Sequence, residues 1–197
     1  MNSLSYSVIQ YKYSNMTIDY NILRKELFGK LNQKQVEGIE LFLNAGVEDK
    51  RWLAYILATV FHETARTMQP IEEFGKGKGH EYGTPDPLTK QTYYGRGYVQ
   101  LTWKDNYQKF GNLLGLNLVN KPELALDPDI SLKITLIGME KGLFRPSHSL
   151  GVYFNETNED WINARLIING KRKGEKYADK AELIADQAKI FYKALKE

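Results

Sequence analysis

The residues of this 197-residue chain best suited to chemistry are carboxylates. Glu63 sits in Phe61-His62-Glu63-Thr64, at the end of the apolar stretch Trp52 to Val60. Glu72, Glu73 and Glu81 follow within a glycine-rich segment. A carboxyl group at the end of a buried helix, facing a polar loop, stands where a hydrolase would place a general acid. Burial and the negative end of the helix dipole both disfavour the carboxylate form, which a proton donor near neutral pH requires. A second, ionised carboxylate from the loop would complete the pair used in glycoside hydrolysis, with one acid at the leaving oxygen and one group serving water or the sugar. Each loop glutamate taken alone is better explained as a solvated surface charge.

Other chemistries lack their residues. In His62-Glu63-Thr64-Ala65-Arg66 the fifth position is Arg66, where a zinc protease needs its second histidine. Gly75-Lys76-Gly77-Lys78-Gly79 has neither the preceding strand nor the following Lys-Ser or Lys-Thr of a phosphate loop. The chain has no cysteine and no G-x-S-x-G elbow, which leaves acyl transfer without a nucleophile. Three scattered histidines make a metal site improbable, and no cofactor is expected. A net charge of +3 is too weak to argue for nucleic acid. No apolar run reaches the length of a membrane span. The first ten residues lack the basic and apolar regions of a secretory signal, so the expectation is synthesis in the cytoplasm and action on a wall after release or export by another system.

Hydrophobic residues at 42% and charged residues at 26% describe an ordinary globular chain, read as a single monomeric domain over residues 1–197. Residues 1–18 are a Tyr-rich arm without clear period. Asp19 caps a helix through Leu27 that stops at Gly29, and Asn32 caps Gln33 to Ala45. The helix carrying Glu63 runs from about Asp49 to Arg66, with Leu53, Ile56, Leu57, Val60 and Thr64 on one stripe. Prolines and glycines make residues 70–92 a loop. Tyr98 to Thr102 reads as half of a small hairpin, and Trp103 to Leu114 as a helix ended by Gly115. Asp127-Pro128 starts another to about Lys141, with Ile130, Ile134 and Ile137 buried. Asp160 to Ile168 is a further helix, closed by Asn169-Gly170. The last spans Asp179 to Leu195, with Ala181, Ile184, Ala188, Phe191 and Leu195 inward and Lys180, Lys189, Lys193 and Lys196 around them.

Four motifs in order then carry a resemblance: His62-Glu63-Thr64; Tyr93-Tyr94-Gly95-Arg96-Gly97-Tyr98-Val99-Gln100-Leu101-Thr102-Trp103; Asn106-Tyr107; and Ile167-Ile168-Asn169-Gly170. Over about residues 50–170 the chain resembles the family 19 glycoside hydrolases, which hold chitinases and related phage and bacterial peptidoglycan-degrading lysozymes. The resemblance implies a mainly α, lysozyme-like fold of two lobes with a small β-hairpin, a catalytic cleft between the lobes, and an inverting mechanism. It makes Glu63 the general acid. It makes Glu73 the base, through Pro70-Ile71-Glu72-Glu73-Phe74-Gly75, with Glu72 and Glu81 as alternatives. Thr102 would help hold the attacking water, and Gln100, Asn106 and Asn169 would bind sugar. Tyr94 offers a flat face for a sugar ring, whereas Trp103 is expected in the core. The chain lacks the cysteines and several cleft loops of plant chitinases. The resulting expectation is a hydrolase of β-1,4-linked N-acetylated amino sugars, peptidoglycan first as for an endolysin, chitin second, and a non-catalytic glycan-binding module as the rival of another class. The basic C-terminal helix would also draw the chain to anionic envelope surfaces.

Overall fold

The computed structural model describes residues 16–169 and 177–196; the expectations for residues 1–15 and for Gly170 lie outside them. The order is β1 (Thr17–Ile18), α1 (Tyr20–Leu23, continued by a π-helical turn Arg24–Phe28), α2 (Gln33–Leu43), α3 (Lys50–Glu63), β2 (Ile71–Glu72), β3 (Arg96–Gly97), α4 (Lys104–Leu114), α5 (Pro128–Lys141), α6 (Leu150–Tyr153), α7 (Tyr177–Ala194) and β4 (Leu195–Lys196). The mainly α, two-lobed lysozyme-like architecture is present.

Helix starts follow local chemistry. The Asp19 side chain accepts from the Asn21 amide, Asn32 and Gln35 cap each other reciprocally, and Asp49 accepts from the Arg51 amide. Asp127 accepts from the amides of Asp129 and Ile130 with Pro128 at the first helical position. Helix α4 ends at Gly115, whose φ of 67° is left-handed as its stop position requires.

Two apolar cores give the lobes. In the first, α3 packs along α7, joining Leu53, Ile56, Leu57 and Val60 to Ile184, Ala188 and Phe191. In the second, Tyr107 and Phe110 of α4 meet Tyr93, Val99, Leu101, Leu118 and Ala125. Helix α5 serves both: Leu132, Leu136 and Met139 join the first core, and Ile134 the second. Only Ile134 of the three expected isoleucines is therefore fully buried, and Ile130 and Ile137 are half-buried. A helix between two cores is apolar nearly all round, so a single stripe misdescribes it.

The two-stranded sheets are small. β1 pairs antiparallel with β4, tying the start of the described chain to its end. Lys196 and Lys193 of that end bind Asp19 at 3.0 Å and Glu26 at 2.6 Å. β2 pairs antiparallel with β3, Ile71 opposite Gly97 and Glu72 opposite Arg96. The expected strand Tyr98 to Thr102 is instead a turn, with Leu101 bridging back to Arg96. Gly97 (φ 87°) starts the reversal; a Cβ there would lie 2.5 Å from Ser131 Oγ, which accepts from the Tyr98 amide at 2.7 Å. The expected helix Asp160 to Ile168 is a 3-10 turn, Asn163–Ile167.

Candidate active site

Glu63 is the last residue of α3, three residues short of the expected helix end. Ala65 and Arg66 take left-handed φ values of 49° and 69°, which stop the helix. Thr64 stabilises the stop: its hydroxyl donates to the Val60 carbonyl at 2.7 Å and accepts from the Met68 amide at 3.1 Å. The Glu63 carboxylate accepts from the Arg165 guanidinium at 2.7 Å, and the two side chains are only 14% and 7% exposed. Glu63 therefore has a countercharge at its side as well as burial and the helix dipole around it. Arg165 was missed among the site residues, although one basic residue in Ala164-Arg165-Leu166-Ile167-Ile168 was a usable signal. Beside it, burial holds the His62 imidazole below its ordinary 6.5; Glu63 pulls upward, and Arg165 and Lys180 push down.

Glu73 follows β2 directly. Its amide donates to the Gly95 carbonyl at 2.7 Å, and the Gly95 amide donates back to Glu73 Oε2 at 2.9 Å. The Tyr82 hydroxyl donates to Oε1 at 3.0 Å. Glu72, pointing the other way as strand alternation demands, accepts from Tyr94 at 2.5 Å and pairs with Lys76 at 2.8 Å. Lys76 and then Tyr94 hold its carboxyl below the usual carboxylate value. Glu81 is exposed in a short turn, Glu81–Gly83.

Glu63 and Glu73 line one cleft of about 620 Å³, on the seam between the two cores, together with Tyr82, Gln100, Thr102, Trp103, Asn106, Asn169 and Lys180. Neither Glu72 nor Glu81 is on its wall. The Thr102 hydroxyl donates to the Gln100 carbonyl at 2.8 Å, which leaves its lone pairs free to accept. Gln100, itself at a left-handed φ of 54°, donates to the carbonyls of Ile71 and Gly97 at 3.0 and 3.1 Å. Asn106 donates to the Thr102 carbonyl at 2.8 Å, and Asn169 is exposed at the cleft edge.

Two aromatic expectations exchange places. Tyr94 is buried off the cleft wall, with the Arg96 guanidinium 3.7 Å above its ring and its hydroxyl on Glu72. Trp103, expected in the core, is 47% exposed on the cleft wall. Its backbone is the reason: φ 75° and ψ 135°, immediately before α4, turn the ring outward. Among the described residues no group of three or more His, Asp or Glu could hold a metal ion.

Residues 75–150 match the model of the family 19 glycoside hydrolases, chitinase class I. The chain is similar to that family over this stretch. It is 38% identical over 93 residues to endochitinase EP3 of Arabidopsis thaliana, covering 45% of this chain and 34% of that protein. To chitinase 8 of Oryza sativa subsp. japonica it is 38% identical over 92 residues, covering 44% and 34%. The chain thus spans about a third of the length of these plant relatives. Among solved structures, chitinase C of Streptomyces griseus HUT6037 has the same fold, with a TM-score of 0.63 and 22% identity over 89% of this chain and 75% of that one. A bacterial family 19 chitinase gives a TM-score of 0.55 and 21% identity, covering 89% and 93%.

Proposed function

We propose that this family 19 relative hydrolyses β-1,4 bonds between N-acetylated amino sugars, with chitin as the substrate class. The observation that carries the reading is the pair Glu63 and Glu73 lining one cleft, each held by its own donors. Chitin comes first because the relatives bear chitinase names, and none favours the peptidoglycan preference drawn from the sequence. Glu63 delivers a proton to the glycosidic oxygen, and Arg165 takes part by fixing its orientation. Glu73 withdraws a proton from a water, and the Thr102 hydroxyl accepts that water's second hydrogen. With no nucleophile in this scheme, water attacks the face opposite the leaving group and the anomeric configuration inverts.

Lys180 supports a second reading. It lines the cleft, and no carboxylate among the described residues lies within ion-pair distance. A cation there suits a sugar chain bearing carboxylates, as peptidoglycan does, and contributes less on neutral chitin. Attraction of α7 to anionic surfaces rests on Lys189 in this reading, because Lys193 and Lys196 are engaged with Glu26 and Asp19. The experiment is turnover of N-acetylglucosamine oligomers and of purified sacculi, with the product anomer read by proton NMR. Early α-anomer from the oligomers supports the reading. No hydrolysis of either substrate, or early β-anomer, overturns it. Preference for sacculi that disappears in Lys180→Gln favours the second.

A further inference from the structure

The glycine-rich run Gly75 to Gly79 and the turn after it have no part in the roles above, yet their geometry is closely specified. The backbones of Gly77 and Gly83 touch: a Cβ on Gly83 would stand 2.0 Å from the Gly77 carbonyl oxygen, and one on Gly77 would stand 2.7 Å from the Gly83 Cα. Only glycine at both positions allows that approach. The contact closes a small loop, with the His80 amide on the Gly77 carbonyl at 2.9 Å and the Gly83 amide on the His80 carbonyl at 3.0 Å. The Tyr93 amide then anchors the Tyr82 carbonyl at 2.9 Å.

Tyr82 is the residue this closure aims. The His80 ring stacks on it at 4.9 Å and 9°, and Trp103 meets it edge-on at 5.1 Å and 78°. Its hydroxyl reaches Glu73 Oε1 at 3.0 Å while the Gly95 amide holds Oε2 at 2.9 Å. One donor on each oxygen fixes the plane of the carboxylate and still leaves acceptor positions open for a water.

We infer that Tyr82 is the positioning residue for Glu73, and that the glycine run serves to deliver its hydroxyl. The inference rests on Glu73 being the base of the proposed hydrolysis. Its ring contact with Trp103 also joins the seat of the base to the aromatic surface a sugar would cover.

Tyr82→Phe removes the hydroxyl and keeps the ring. On N-acetylglucosamine oligomers its kcat should fall about 10–100-fold, the range expected when a catalytic group is misplaced by a fraction of an ångström to one ångström. KM should stay within about twofold, since the binding surface is intact. Gly83→Ala, which displaces the loop without altering Tyr82, should reproduce the loss, and the double variant should be no worse than the more affected single one. Wild-type kcat in folded Tyr82→Phe, or a loss confined to KM, would overturn the inference and leave the hydrolase reading standing. Losses that multiply in the double variant would overturn it too. A wild type inactive on every oligomer would instead remove the hydrolase reading itself, and this inference with it.

Discussion

Replacing Arg165 by Gln tests whether Glu63 is held in place by charge. The pair is close, at 2.7 Å, and both side chains are nearly buried, at 7% and 14% exposure. Removing one member of a buried pair costs about 3–5 kcal/mol, because the remaining charge loses its partner without regaining full hydration. Glu63 lines an open cleft and is partly solvated there, so the lower end, about 3 kcal/mol, is the expected loss. At about 2–4 °C per kcal/mol for a chain of this size, Arg165→Gln should melt roughly 6–12 °C below wild type. Glu63→Gln keeps an oxygen that can accept from Arg165 and loses only the charge, a cost of about 1–2 kcal/mol. It therefore also lowers Tm, which a view of Glu63 as a lone carboxyl would not predict. The double variant joins two neutral amides and should be no less stable than Arg165→Gln alone, giving a coupling of about 1–2 kcal/mol. Urea unfolding at pH 7 and thermal melting measure all four proteins. An Arg165→Gln Tm equal to wild type, or strictly additive losses, would refute the reasoning.

Three further outcomes follow from the site. Glu73→Gln should abolish oligosaccharide hydrolysis, while Glu72→Gln and Glu81→Gln should retain most of it; a dead Glu81→Gln beside an active Glu73→Gln would transfer the base to Glu81. Trp103→Ala should raise KM several-fold with little change in Tm, because the ring is 47% exposed on the cleft wall; an unchanged KM with a large Tm loss would return Trp103 to a packing role. His62 has a folded value below 6.5, so below that pH the unfolded chain binds more protons than the folded one. Its contribution to stability is complete above about pH 6.5 and is lost as pH falls toward the folded value; in urea unfolding from pH 7 to 5, His62→Gln should show a shallower decline than wild type, and parallel curves would refute the assignment.

The helices were legible because each is set by short-range signals. Asp49 and Asn32 cap where the sequence places them, and the apolar stripe of α3 is buried along its whole length. Errors fell where a signal had two readings. Tyr98 to Thr102 alternates like a strand, but Gly97 reverses the chain one residue earlier, and pairing falls to Arg96–Gly97 with Ile71–Glu72. Residues Asp160 to Ile168 carry helical spacing, but only one 3-10 turn forms, Asn163–Ile167. The exchange of Tyr94 and Trp103 has the same origin, since a left-handed backbone at a tryptophan leaves no mark in composition or period.

The sequence by itself determined the helical character of the chain, its caps and stops, the absence of thiol chemistry, and Glu63 at a helix end opposite a loop of candidate carboxylates. These depend on residues a few positions apart, whose geometry local sterics fix. Only the tertiary structure decided which loop carboxylate reaches the cleft, what holds it, and what faces Glu63. Glu72 and Glu73 are neighbours in sequence, yet strand alternation sends one to Lys76 and the other to Tyr82 and Gly95. Arg165 lies 102 residues from Glu63 and meets it only because Ala164 and Ile167 pack into the same core as α3. Contacts at that separation are set by how cores pack, and no local period encodes them.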